Sequence, residues 1–310
     1  MKAVRVHHFG GPEAIVVEDI PRPVPSEGEL LVRVSAAGVG PWDALIREGK
    51  SKVSPPPPLT LGSDFSGVVE EIGTGVSSFV TSGFKKGDEV YGVTNPQFCG
   101  AQAEYAVAAA GMIARKPQHL SHVEAASVPV VAVTAWQMLF EYGQAKAGQS
   151  VMILGAGGNV GAYATQLAAK AGLRVIAVVG SKDTEYARDL GSEIVVDYQT
   201  TGMKDHDGSV DLVLDTVGGE LREQSFKALR PNGVLVSVAS PLPPQHAARG
   251  VFFYVEVTTG RLTMIARLFD RRELMTNVGS ILPLEQASVA HAMLAGAPHK
   301  RGKILLLPAP

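Results

Sequence analysis

The chain's 310 residues suggest about two domains, and its 45% apolar and 19% charged content is that of an ordinary globular protein. A net charge of -2 excludes the one-sign field that recruits nucleic acid or an anionic membrane. A single cysteine, Cys99, excludes an internal disulfide framework and any multi-cysteine metal site. Residues 1–6 read as a strand without a signal-peptide core, and no apolar run reaches the ~20 residues that span a bilayer. The expected setting is the cytoplasm, with a small molecule as partner and neither nucleic acid nor membrane.

Up to about residue 120 the chain reads as short strands. Residues 3–7 and 30–34 partly alternate in polarity, while residues 66–73 and 89–93 are β-branched runs bounded by glycine. Four consecutive prolines, Pro55 to Pro58, permit neither helix nor inner strand and predict a loop. Near residue 122 the period changes. Residues 123–142 carry a helical pattern interrupted at Pro129. Strands are then expected at 150–154, 174–179, 193–196, 210–215 and 234–238, alternating with helices at 160–171, 184–190 and 221–229. Such alternation means an α/β fold with a doubly wound parallel sheet. Residues 250–257 are apolar and predict a long edge strand. Residues 302–307 predict a final strand that returns to the β-rich part.

The strand at 150–154 runs into Gly155-Ala156-Gly157-Gly158-Asn159-Val160-Gly161, and a helix follows. That context is what a dinucleotide loop requires: glycines let backbone N–H groups reach a pyrophosphate, and the helix start adds its positive dipole end. Gly155, Gly158, Asn159, Val160 and Gly161 are therefore expected at the cofactor. The second strand ends in Gly180-Ser181-Lys182. An NAD enzyme carries an acid at that strand tip to hold the ribose 2′-hydroxyl. No acid stands at the tip here, and Lys182 can face a 2′-phosphate, so NADPH is the expected cofactor. The same Lys182 also reads as a solvated charge at a helix start.

Ordered motifs extend along the chain. They are Gly38-Val39-Gly40-Pro41-Trp42-Asp43, Gly62-Ser63-Asp64-Phe65-Ser66-Gly67, Phe84-Lys85-Lys86-Gly87-Asp88-Glu89-Val90-Tyr91-Gly92, Ala103-Glu104-Tyr105, Thr134-Ala135-Trp136, the glycine loop, Asp215-Thr216-Val217-Gly218-Gly219 and Arg301-Gly302-Lys303. With these the chain resembles the zinc-free quinone-oxidoreductase (zeta-crystallin-like) branch of the medium-chain dehydrogenase/reductase superfamily. The resemblance implies a β-rich GroES-like catalytic domain over 1–121 and 272–310, and a Rossmann NADPH-binding domain over 122–271. It places the active site in the cleft between them. The apolar segment 250–257 would invite aggregation as an exposed edge, and pairing with a two-fold mate predicts a homodimer joined through the Rossmann domains; the same segment also reads as covered within one chain.

The resemblance further implies that Thr134, Val217, Val238, Ala239 and Ser240 line the cofactor. It implies that Tyr198 supports the adenosine ribose phosphate and that Phe252-Phe253 cross over the nicotinamide. Zinc-dependent cousins carry Cys where Gly40 stands and His-Glu where Ser63-Asp64 stand, so no metal is expected. Many relatives have Asn at the position of Gly40. Gly40, Trp42 and Asp43 are expected in the substrate pocket, although Trp42 reads equally as core and Asp43 and Asp64 read first as turn residues. No catalytic side chain is assigned. All eight histidines read as bland surface residues, with His7 and His8 on a strand. The implied activity is NADPH-dependent reduction of a quinone or similar conjugated carbonyl. Two alternatives stay open: an alkenal or enone double-bond reductase, and a non-catalytic NADPH-binding sensor or structural protein.

Overall fold

The computed structural model describes residues 1–76, 83–246 and 249–308. It divides into two compact units, Met1–Val130 with Val257–Pro310, and Val131–Glu256.

In chain order the elements are β1 (Lys2–Val6), β2 (Ile15–Asp19), β3 (Glu29–Val39), α1 (Pro41–Arg47), β4 (Leu59–Thr60), β5 (Asp64–Ile72), β6 (Glu89–Val93), β7 (Tyr105–Ala109), β8 (Ile113–Arg115) and α2 (His122–Ala126). There follow α3 (Pro129–Trp136), extended by a π-helical turn at Gln137–Tyr142, then β9 (Ser150–Leu154), α4 (Asn159–Lys170), β10 (Arg174–Val179), α5 (Thr184–Asp189) and β11 (Ile194–Asp197). Next come β12 (Val210–Asp215), α6 (Gly219–Ser225), β13 (Leu229–Ser237) and β14 (Gly250–Phe252). The chain ends through α7 (Thr259–Asp270), β15 (Val278–Pro283), α8 (Ala287–Leu294) and β16 (Lys303–Leu307).

In the first unit β3 is the central strand. It pairs with β5 along one side, and with β7 and β16 along the other. Leu30, Leu31 and Val32 are buried in succession because both of its faces are covered, and apolar cores lie on either side. The expected final strand is β16, and it does return to this sheet, antiparallel to β3. It brings Lys303 into the interior, where the Nζ lies 2.7 Å from Asp64 Oδ2 with both side chains at most 1% exposed. The other Asp64 oxygen accepts from the Val130 N–H at 3.1 Å.

In the second unit the sheet runs β11-β10-β9-β12-β13-β14, and every pairing is parallel. Strand order reverses on either side of β9, so this is the doubly wound α/β fold the alternation predicted. A dinucleotide crevice in such a fold lies beyond the carboxyl ends of the strands at that reversal.

Several expectations need correction. The helix expected at 221–229 ends at Ser225, because Ala228 and Leu229 turn inward to join the core and Leu229 starts β13. The long edge strand expected at 250–257 pairs only over Gly250–Phe252. Beyond it Phe253 packs on Tyr142, with ring centroids 4.2 Å apart, and the Glu256 N–H donates to Gln137 Oε1 at 3.0 Å, so the chain leaves the sheet. His7 and His8 lie past the end of β1.

His291 is no surface residue. It sits on the inner face of α8, fully buried, with Nδ1 2.8 Å from Arg47 Nη1 and Nε2 3.4 Å from Gln102 Oε1. Arginine only donates, so Nδ1 accepts and the ring is the neutral Nε2–H tautomer. Burial and then the Arg47 charge lower its pKa to about 3.

Replacing Lys303 by Met strands a buried carboxylate at Asp64, so a stability loss of about 3–5 kcal/mol is expected. Urea unfolding checks this. Adding Asp64→Asn to the same chain should recover most of the loss, and an unchanged midpoint in the single variant would refute the assignment.

Candidate functional site

All five residues of β9 are buried between β10 and β12, and from Val151 to Leu154 the strand is apolar. The chain turns at Gly155, whose φ of 77° suits glycine. A Cβ at Gly161 would fall on the Gly155 carbonyl oxygen, so the first turn of α4 and the end of β9 approach as closely as backbones can. Gly158 is the N-cap of α4. The N–H groups of Asn159, Val160 and Gly161 lie in the first turn of α4. The structure therefore brings Gly155, Gly158, Asn159, Val160 and Gly161 together where β9 turns into α4.

At the end of β10, Gly180, Ser181 and Tyr198 come together. The Tyr198 ring lies within 3.6 Å of where a Gly180 Cβ would stand, and the Tyr198 N–H donates to the Val179 carbonyl. The Ser181 hydroxyl donates to Asp197 Oδ2 at 2.5 Å and lies 3.1 Å from Gln199 Oε1. That hydroxyl, and then the Gln199 N–H, hold the exposed Asp197 carboxyl below its ordinary range. Lys182 is exposed.

The sequence reading missed Asp183. The Asp183 N–H donates to the Gly180 carbonyl at 2.9 Å, closing a tight turn. That turn brings its side chain back over the glycine loop: a Cβ at Gly157 would stand 2.8 Å from the Asp183 Cβ and Cγ. The available signal was an acid four residues past the strand, where a one-turn reversal can return it to the loop.

On the other side of β9, the buried Asp215 carboxylate accepts from the Val217 N–H at 3.0 Å, the Gly218 N–H at 2.7 Å and the Ser237 hydroxyl at 2.7 Å. This leaves Val217 half exposed beside Gly155. The Val238 N–H donates to the Asp215 carbonyl, the Ala239 N–H reaches the Ser237 hydroxyl, and Arg222 Nη1 donates to the Ser240 carbonyl at 3.0 Å and hydroxyl at 2.9 Å. Val217, Val238, Ala239 and Ser240 are thus gathered around the ends of β12 and β13. Thr134 lies buried on α3, Phe252 ends β14, and the buried Phe253 stacks on Tyr142.

In the first unit, Gly40, Trp42 and Asp43 form the start of α1. Pro41 occupies the first helical position, where its fixed φ suits the helix, and Asp43 Oδ2 accepts from the Gly40 N–H at 2.7 Å. The Trp42 ring lies against Gly40, and a Cβ there would meet it at 2.5 Å. Trp42 Nε1 donates to Ser63 Oγ at 2.8 Å, and Lys303 Nζ stands 4.1 Å from the ring centroid. The indole is thus held at its edge, its N–H and one face. Asp43 is buried, and its Oδ1 has no hydrogen-bond partner among the described residues. Burial pushes its pKa up to about 7, against the Lys303 charge and the Gly40 N–H. Burial likewise pulls Asp64 upward, opposed by Lys303. The Cys99 thiol is pushed up by burial, with Asp43 adding to it, so it lacks the environment of a reactive thiolate.

Residues 26–118 match the alcohol dehydrogenase GroES-like domain, and residues 190–306 match the zinc-binding dehydrogenase family. The quinone oxidoreductase of Mus musculus is 30% identical over 99% of this chain and 98% of its own. The chloroplastic NADPH-dependent alkenal/one oxidoreductase of Arabidopsis thaliana is 28% identical over 100% of this chain and 80% of its own. The quinone oxidoreductase structure from Coxiella burnetii has a TM-score of 0.88 at 30% identity, covering 99% of both chains. A structure described as an NAD-dependent alcohol dehydrogenase has 0.87 at 31%, with the same coverage. The chain belongs to the quinone-oxidoreductase branch of the medium-chain dehydrogenase/reductase superfamily.

The second family description raises the question of zinc. Zinc needs three or four nitrogen, sulfur or oxygen ligands. Gly40 offers none and has an indole against it, the Ser63 hydroxyl accepts from that indole, and Asp64 is paired with an ammonium. These residues do not fit a zinc ion. Among the described residues no group of three or more His, Cys, Asp and Glu is placed to hold a metal.

The raised pKa of Asp43 makes a directional expectation. The folded state keeps the proton that the unfolded chain releases near pH 4, so stability falls as pH rises from about 4 through 7. His291 acts in the opposite sense: its folded pKa is lowered, so its contribution is lost as pH falls from about 6.5 toward 3. Asp43→Asn isolates the first effect. Relative to wild type, it should gain on the order of a few kcal/mol between pH 4.5 and 8. Parallel stability profiles for the two proteins would show that Asp43 does not titrate in this range.

Proposed function

We propose that the protein is an NAD(P)H-dependent oxidoreductase that reduces a quinone or a similarly conjugated carbonyl without zinc. The observation that supports this is a glycine turn from β9 into α4, of the kind that receives a dinucleotide, together with a Gly40–Ser63–Asp64 set whose groups are already engaged by Trp42 and Lys303. The Val131–Glu256 unit would hold the dinucleotide, and Gly40, Trp42 and Asp43 would face substrate. A bound nicotinamide dinucleotide would supply the hydride.

The chain's own residues then have definable tasks. The N–H groups opening α4 would bind the pyrophosphate. Asp215 holds the Val217–Gly218 turn, and Arg222 holds the Ser240 loop, so both segments are ordered before any ligand arrives. Such preorganisation lowers the entropy cost of placing the reacting atoms. At the ribose end Lys182 and Tyr198 support NADPH, while Asp183 and Asp197 oppose a 2′-phosphate.

Substrate class follows from charge stabilisation. Reducing a simple ketone makes an alkoxide, whose conjugate acid has a pKa near that of water, about 16. Reducing a quinone makes a phenolate-like oxyanion with a conjugate acid near 10. The difference of about six units corresponds to ~8 kcal/mol, of which the transition state feels a part. Zinc-dependent enzymes meet that demand with the metal. A delocalised oxyanion or enolate needs only positioning and a proton from water or a pocket hydroxyl.

Turnover is therefore expected with quinones or conjugated enones, and little or none with unconjugated alcohols and ketones, in assays that follow nicotinamide oxidation and identify the product. Robust turnover of a secondary alcohol with no quinone or enone reduced would overturn the reading. Binding of the dinucleotide without turnover of any of them would favour a sensor or structural role.

We further propose a homodimer. Among the described residues β14 pairs only with β13 and forms an outer edge of the parallel sheet. Pairing of two such edges about a two-fold axis would satisfy their free backbone groups. Light scattering at micromolar concentration should return twice the chain mass of 32.6 kDa, and a monomer mass would refute it.

A further inference from the structure

We propose that Asp183 selects the cofactor, taking the ribose 2′-hydroxyl of NADH and disfavouring NADPH. The proposal rests on the reading that the glycine loop holds a nicotinamide dinucleotide, and it settles which one.

Three observations support it. First, the Asp183 side chain lies against Gly157, inside the loop that would carry the pyrophosphate. An acid at this end of a doubly wound sheet accepts a hydrogen bond from the adenosine ribose. It is usually the last residue of the second strand. Here β10 ends in Val179, and the turn closed by the Asp183 N–H on the Gly180 carbonyl returns a later acid to the same neighbourhood.

Second, a further carboxylate stands nearby. Asp197 ends β11, directly beside Val179 of β10. The Ser181 hydroxyl donates to Asp197 at 2.5 Å, so the proton a phosphate oxygen would accept from Ser181 is already committed. Asp197 stays ionised, since the Ser181 and Gln199 donors favour its charged form.

Third, the charges do not suit a phosphate. Lys182 contributes one positive charge, and Asp183 and Asp197 two negative ones. A 2′-phosphate would add a charge of roughly -1.5 to -2 to that set. A 2′-hydroxyl adds none and donates to a carboxylate. The small residue at 157 has a matching role: any side chain there would collide with Asp183 and drive the acid off the loop.

The experiment is a titration of wild type, Asp183→Asn and Asp197→Asn with NADH and with NADPH, read by calorimetry. Wild type should bind NADH about tenfold or more tighter than NADPH. Asp183→Asn should cut that ratio about tenfold, weakening NADH while strengthening NADPH. Asp197→Asn, at the end of β11 beside Val179, should move the ratio the same way by a smaller factor. Tighter NADPH binding by wild type would overturn the proposal, as would an Asp183→Asn variant that changes both constants by one factor. If wild type bound neither dinucleotide, the underlying dinucleotide reading would fall, and this proposal with it.

Discussion

A buried ion pair between Lys303 and Asp64 ties β16 to β5 in the first unit. An unpaired charge in the interior costs several kcal/mol, so the two side chains must meet, although they lie 239 residues apart in the chain. Their meeting reaches across β3 and pins β16 to the sheet that holds β5. It also fixes the Trp42 indole, because the Lys303 ammonium stands over one face while Ser63 holds the N–H. The indole in turn leaves room for nothing larger than hydrogen at position 40. A single buried charge pair thus propagates to the local chemistry. Where a metal-dependent enzyme needs ligands, this chain has an aromatic ring and an ammonium.

Asp43 belongs to the same buried neighbourhood but has no cation of its own. One oxygen caps α1, and the other lacks a partner among the described residues. Desolvation therefore prevails over the attraction of Lys303, and the carboxyl holds its proton to near neutrality. Asp215 in the second unit contrasts with it. Two backbone N–H groups and the Ser237 hydroxyl surround that carboxylate, and it organises the turn after β12.

The sequence by itself determined the alternation of strand and helix after residue 122, the glycine loop with the strand before it and the helix after, and the ordered motifs that mark the family. These are local signals. Periodicity, glycine spacing and turn chemistry act over a few residues and survive without knowledge of the fold. The expectation that Gly155 to Gly161 meet a cofactor rested on those local signals, whereas Val217, Val238, Ala239 and Ser240 were expected there only through the family resemblance; both groups adjoin the ends of strands. The long edge strand failed because an apolar run cannot say whether it pairs or turns inward, and at Phe253 a ring stack decided that.

Only the tertiary structure decided which polar groups share a space. His291 looked like a surface residue until α8 carried it onto Arg47, some 240 residues away in the chain. Asp183 looked like one charge among several until a one-turn reversal laid it against Gly157. Gly40 and Trp42 read as separate pocket residues, yet the ring fills the space beside the glycine. The common physical reason is that burial, desolvation and charge pairing depend on distances across the fold, and those distances have no counterpart in spacing along the chain.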